Sequence, residues 1–198
     1  VFYMPNPVDF FFETLENYNN KYFNNDVFFA MSHGVHRGVL KKGKFDQREI
    51  FINNLMKITP NVRFDLYGMN NIQPLWADDY LIAISQSKIG LNLSQGKSAK
   101  YYSSDRFSQL IGNGLLVMID ENTKIGNFFN KDEIVLYKNI SDLSEKIIKF
   151  NNDHNLRKKI ARKGRVKYFK YFNSTKVAEF ILNKSFGINK KYYWENIK

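Results

Sequence analysis

The sequence predicts an α/β fold, an open parallel sheet with helices on both faces and a helical tail at the C-terminus. Three observations predict it. Five short, largely apolar segments of four to six residues have the length of strands, and the continuous run at 26–31 reads as a strand buried on both faces. Segments with apolar residues at helical spacing separate them. Glycine, proline or a capping residue marks most of the junctions.

In chain order, residues 1–4 are apolar and Pro5-Asn6-Pro7 forbids a helix after them. Asp9 is placed to cap a helix carrying Phe10, Phe11, Phe12 and Leu15. Residues 26–31 form the first strand. A basic loop follows, interrupted by Gly34, Gly38 and Gly43. Asp46 opens a helix with Ile50, Phe51, Leu55 and Ile58 at helical spacing, and Pro60 closes it. Residues 62–67 are a strand ended by Gly68, and 78–87 a helix carrying Tyr80, Leu81 and Ile84. Strands at 89–93 and 115–119 flank a helix at 104–113. A short helical turn near 125–129 precedes a strand at 134–137. Ser141 is placed to cap a helix carrying Leu143, Ile147, Ile148 and Phe150, then 154–172 forms a long helix. Ser174 starts a last helix with Val177, Phe180, Ile181 and Leu182. Strands alternating with helices in this way give a Rossmann-like sheet.

Bulk properties exclude several classes of function. With 198 residues and 43% hydrophobic content the chain can bury a real core and is not disordered. There is no cysteine, which removes disulfides and thiolate metal sites and fits a reducing compartment. No apolar run reaches the length of a membrane span, and no signal peptide is visible. Val1 at the first position suggests a fragment or a processed piece. The net charge of +11 is uneven, because residues 131–198 hold 17 Lys and Arg against 7 Asp and Glu. Such a surface is either a solvated helix face or attractive to a polyanion, and peripheral contact with an anionic membrane is the expectation carried forward. Nucleic acid is not expected as a partner, since no aromatic platform motif accompanies the charge.

In sheets of this kind ligands bind beyond the C-terminal strand ends. Two segments there carry chemistry. In the 32–48 loop, Gly34 and Gly38 let backbone N–H groups approach a phosphate, and Arg37, Lys41, Lys42, Lys44 and Arg48 supply charge. It matches neither the Walker loop nor the Gly-x-Gly-x-x-Gly turn. His33 and His36 lack a third ligand, so no metal is expected. The second segment, Tyr102-Ser103-Ser104-Asp105-Arg106, opens the 104–113 helix, where free N–H groups and the helix dipole favour an anion. Arg106 and Lys100 can add charge there, although Arg106 can also simply pair with Asp105.

The run from Ser104 to Val117, with Gly112-Asn113-Gly114 before an apolar strand, resembles the donor-site helix and strand of group 1 glycosyltransferases with the GT-B fold. Residues 156–165 and Phe172-Asn173-Ser174 resemble that family's closing helices. Met4-Pro5-Asn6-Pro7-Val8-Asp9 resembles its interdomain linker, and Phe64-Asp65-Leu66-Tyr67-Gly68 its second strand. The resemblance implies one half of a GT-B fold that binds a nucleotide-sugar, with the N-terminal acceptor domain absent. It divides the chain into a linker and lead-in helix (1–25), a nucleotide-sugar-binding domain (26–172) and a C-terminal helix and tail (173–198).

By position, the resemblance implies that Gly34 and Arg37 face the donor diphosphate and sugar, with Lys42 beside them. It puts the base at Gly68, Met69 and Asn70, and the phosphates and sugar at Tyr102, Ser103, Ser104, Asp105 and Arg106. Arg37, Asp105 and Arg106 are the implied catalytic residues. Gln109 stands where the family has a ribose-binding glutamate, and Tyr101 where the other acid of its pair would fall. The implied activity is transfer of a sugar to an acceptor hydroxyl in cell-surface polysaccharide or glycolipid synthesis, without metal or cofactor, in the cytoplasm at the inner face of the membrane. A catalytically silent glycan- or partner-binding member is the alternative. The tail Tyr192-Tyr193-Trp194 is either disordered or packed on the absent domain.

Overall fold

The computed structural model describes residues 2–32, 46–94, 98–102 and 104–195. Five strands, β1 (Asn25–Ala30), β2 (Phe64–Tyr67), β3 (Ser87–Asn92), β4 (Leu116–Asp120) and β5 (Val135–Tyr137), form one parallel sheet in the order β2-β1-β3-β4-β5. The chain leaves β1 for β2 on one side and returns to β3 on the other. This puts a topological switch point between the C-terminal ends of β1 and β3.

Alternation along the strands divides the core. Phe28, Val117 and Ile119 face one layer, with α2 (Ala77–Ser85), α3 (Asp105–Gly112) and α6 (Ser174–Ser185). Val27, Phe29, Ile89, Leu91, Leu116 and Met118 face the other, with α1 (Gln47–Ile58) and α4 (Ile140–Asn152). α5 (His154–Tyr171) contributes Tyr168 and Phe169 to the first layer and Ile160 and Ala161 to the second. With helices on both faces, continuous apolar strands are what the fold needs.

Side chains that cap helices differ from expectation in places. Asp46 does cap α1, accepting from Arg48 N at 2.8 Å. On that helix Ile52 and Leu55 are buried, whereas Ile50 and Ile58 face solvent. The cap of α4 is Asn139, which accepts from Asp142 N, so Ser141 is already inside the helix. The expected helix at 10–15 does not form. Asp9 spends its carboxylate on Phe11 N (2.9 Å) and on Ser174 Oγ (2.5 Å), making a tight turn. Beyond that turn, Leu15 N and Asn17 N donate to Asn113 (both 3.1 Å), so they are withdrawn from a helical ladder.

That docking explains the Gly112-Asn113-Gly114 sequence. A Cβ at Gly112 would lie 2.6 Å from Glu13 Cγ, and Gly114 has φ +80° with Tyr18 and Asn17 against it. Asn113 is fully buried between α3 and the lead-in segment. Val8 is held further along, in a parallel bridge with Asn173 at the α5–α6 junction. The aromatic tail packs on its own chain. Tyr192 and Trp194 are buried, and Trp194 lies against Phe172 and Phe180 with ring centroids 5.9 and 5.5 Å away. No helix among the described residues is long and apolar enough to cross a membrane.

The N-terminal end of the sheet carries an ionic cluster around the buried Asp26. Asp26 accepts from Lys88 Nζ (2.7 Å), from Arg63 Nη2 (3.2 Å) and from Arg63 N (2.9 Å). Burial alone would raise its pKa, but the hydrogen bonds from Arg63 and Lys88 outweigh it and hold the carboxyl at about 2. A depressed carboxyl stabilises the fold above its unfolded value near 3.8 and loses that contribution as pH falls toward 2. Asp26→Asn is therefore expected to cost about 2 kcal/mol at neutral pH and to flatten the acid limb of stability between roughly pH 4 and 2. Urea unfolding measured across that range checks both effects.

Candidate functional site

The site grows from the switch point. Arg106 leaves the first turn of α3 and donates from Nε to Ala30 O (2.6 Å), at the end of β1. Its Nη1 donates to Leu93 O (3.0 Å), just past β3. The guanidinium also lies over the Phe29 ring, 4.7 Å from its centroid. One cation thus ties the two strand ends on either side of the crevice to the start of α3. Burial pulls its pKa down to about 10, which leaves it charged at neutral pH. Arg106 does not pair with Asp105, and its Nη2 makes no hydrogen bond among the described residues.

A cleft of about 570 Å³ opens beside this clamp. Its walls come from Ala30–Ser32, from the 74–81 segment entering α2, from the first turns of α3, and from Phe12 and Glu13. The side chain of Ser104, the N-cap of α3, does not bond the helix. Its hydroxyl donates instead to Asn92 Oδ1 (2.9 Å). The positive end of α3 is left open to the cleft. Asp105 is exposed at the mouth, and the Gln109 amide lines the wall without a hydrogen bond among the described residues.

Sequence reasoning missed three wall residues. Tyr80 was visible only as an apolar position on the α2 face. Its hydroxyl is buried and unpartnered among the described residues, and burial pushes the phenol well above its usual value. A tyrosine on a buried helix face needs a partner for its hydroxyl, and that was the available signal. Trp76 is exposed on the rim. Glu13 is buried against Gly112, accepts from Asp9 N at 2.7 Å, and has its pKa raised chiefly by burial.

The structure brings Ser104, Asp105, Arg106 and Gln109 to this cleft. It puts others elsewhere. Met69 is buried in the core, and Asn70 is held by α1, its N–H donating to Glu49 (3.0 Å) and its amide exchanging hydrogen bonds with Asn53. Neither these nor Gly68, at φ +75°, lines the cleft. Tyr102 is half-exposed and outside the lining. Tyr101 has φ +62° and packs its ring on Tyr3 and Phe128, with Lys100 over it. Of the cations in the basic loop, Arg48 is spent on Asp46 (2.6 Å). Gly34, Arg37, Lys42 and Ser103 lie outside the described residues. Among the described residues no three His, Asp or Glu come together as a metal site.

A family model described as "Glycosyl transferase-like" matches residues 47–183, well over half of the chain. No curated protein matches. Among solved structures, HepE of Anabaena in complex with UDP and glucose superposes with a TM-score of 0.58 at 13% identity, over 83% of this chain and 49% of that one. TarM gives 0.59 at 13% identity over 96% and 38%. The sucrose-phosphate synthase of Thermosynechococcus elongatus gives 0.54 at 10% identity over 92% and 49%. At such identities these show the fold, one half of a GT-B architecture. The chain spans about half the length of those proteins or less.

Removing the clamp tests its structural share. Arg106→Ala strands two carbonyls that now accept from a charged donor and is expected to cost about 2–3 kcal/mol. For a chain of this size that lowers the melting temperature by roughly 5–10 °C. Arg106→Lys, which cannot reach both carbonyls in one plane, should recover less than half of the loss. Calorimetry on the two variants reads the difference.

Proposed function

Because this chain belongs to the glycosyl transferase-like family, we propose that it is the nucleotide-sugar-binding half of a glycosyltransferase. The observation that carries the reading is the cleft at the switch point, where the open N-terminus of α3 and the Arg106 guanidinium face one cavity. A diphosphate is the ligand such a cavity suits. It would take backbone N–H groups at Asp105 and Arg106 and the free Nη2 of Arg106. The orphaned Tyr80 hydroxyl and the Gln109 amide would then bond sugar or ribose hydroxyls.

In transfer, the C–O bond from the sugar to the diphosphate breaks as an acceptor hydroxyl attacks the sugar carbon and gives up its proton to a base of the second domain. The departing diphosphate gathers charge, and the preorganised cation and helix end stabilise it without a metal. Arg37 and Lys42 keep, on sequence grounds, the role of further diphosphate cations. A hexosyl donor and an acceptor in surface polysaccharide or glycolipid synthesis complete the proposal, with the acceptor held by a second domain. UDP is the first diphosphate to try, since HepE, a fold relative, was solved with UDP and glucose.

One observation favours a second reading, a silent glycan- or partner-binding member. Tyr101 is committed to an aromatic cluster and Gln109 is uncharged, so the acid pair of the resembling family has no counterpart here. Thermal shift with UDP, GDP, ADP, TDP and CMP separates the readings from no binding at all. A ligand at a hundred times its Kd should raise the melting temperature by roughly 5–10 °C. Tyr80→Phe and Gln109→Ala should each remove a part of that shift. No response to any of these nucleotides overturns the proposal, and binding without transfer or hydrolysis by the full-length protein leaves the silent reading.

A further inference from the structure

α5 carries more charge than its packing uses. Its core side holds Arg157, Ile160, Ala161, Gly164 and Tyr168. Two of its cations are taken up by acids of the segment before β5. Lys163 pairs with Asp132, and Lys167 with Glu133 at 2.6 Å. Arg165 turns inward to Gly112 O (2.7 Å) and Glu16. Four cations are left over. Lys158, Lys159, Arg162 and Lys170 make no ion pair among the described residues. With Val166, which is 56% exposed, they share one helix face, the wall of a shallow groove of about 850 Å³ whose other side is formed by Asp132, Glu133 and Tyr193.

An apolar turn adjoins that face. Phe10, Phe11 and Phe12 are 66%, 90% and 73% exposed, an unusual concentration of bare aromatic surface. Phe10 is stacked on Phe169 of α5, ring centroids 4.3 Å apart, so the turn is seated on the helix beside Val166 and Lys170. At its other end Phe12 lines the cleft.

We infer that this basic face of α5 and the 10–12 turn together dock the protein on an anionic lipid bilayer. Charge complementarity selects the lipid, because unpaired Lys and Arg gain from the negative surface potential. The aromatic turn selects a bilayer over a soluble polyanion, because only a bilayer offers apolar depth for Phe11 beside the headgroups. Docking in this way would hold the mouth of the cleft, through Phe12, at the lipid surface. The inference stands apart from the nucleotide reading, since it uses neither Arg106 nor α3.

Flotation of the 198-residue chain with phosphatidylcholine vesicles, with and without phosphatidylglycerol, tests it. The chain is expected to float with the anionic vesicles, to stay behind with the neutral ones, and to be released by high salt. Each surface cation contributes about fivefold, so Lys158→Glu, Lys159→Glu and Arg162→Glu combined should weaken binding more than a hundredfold. Phe11→Ser should weaken it about tenfold or more. A Phe11→Trp chain should show a blue-shifted indole emission on anionic vesicles. All of these positions are on the surface, so unchanged melting curves confirm folding. Equal binding to both vesicle types, or full binding by the triple variant, overturns the inference. So does an unshifted Phe11→Trp emission on vesicles that carry the chain, which would mean that the basic face is a general polyanion surface.

Discussion

The guanidinium of Arg106 is the contact on which the functional end of this molecule depends. A parallel sheet whose strand order reverses at β1 leaves a crevice between the ends of β1 and β3. Arg106 accepts that geometry by donating to one carbonyl on each side, Ala30 O and Leu93 O. Since the same residue belongs to the first turn of α3, the helix start is fixed relative to both strands. The cleft walls at Ser32, Ser104 and Gln109 are therefore set by one rigid cation. A site assembled on strand ends and a helix terminus is better preorganised than one built on loops.

The opposite side of α3 is fixed with comparable economy. Asn113 receives Leu15 N on its side chain and Asn17 N on its carbonyl, while its own amide returns to Gln109 O. The lead-in segment thus becomes a wall of the cleft, with Glu13 pressed on Gly112 and Phe12 at the mouth. Asp26, Arg63 and Lys88 secure the other end of the sheet, far from the crevice. The ionic cluster and the cleft are consequently located at opposite ends of the strands.

Much of the fold was legible because its signals are local. A buried parallel strand is a short apolar run, and a helix is an apolar stripe bounded by caps, so the strands and α-helices of the described residues could be read from the chain itself. The misread helix at 10–15 had the right local pattern, an Asp cap before an apolar run. It failed because its N–H groups found Asn113, nearly a hundred positions away in sequence. The site divides in the same way. Ser104, Asp105, Arg106 and Gln109 were legible from a helix start beyond a strand. Tyr80 and Glu13 were not, because each reaches the cleft from a different element and looks like ordinary packing in sequence. Met69 and Asn70 show the converse, a strand end whose side chains the fold already uses. They sit at a strand end, as expected, but the core takes one side chain and α1 takes the other.

By itself the sequence determined the class of fold, the order of its elements, the helix start beyond a strand end and the excess of positive charge in the last third. Periodicity, caps and composition act over one or two turns and need no partner to be read. Only the tertiary structure decided what that charge and that helix start do. It turned Arg106 into a clamp that donates to one carbonyl on each side of the switch point, Ala30 O and Leu93 O. It seated Phe10 on Phe169 and so joined an apolar turn to a basic helix face. Among the described residues it left four cations of α5 without an ion pair while pairing Lys163 and Lys167. Long-range geometry settles which polar groups are consumed in holding the fold and which remain for a ligand, and no local pattern records that division.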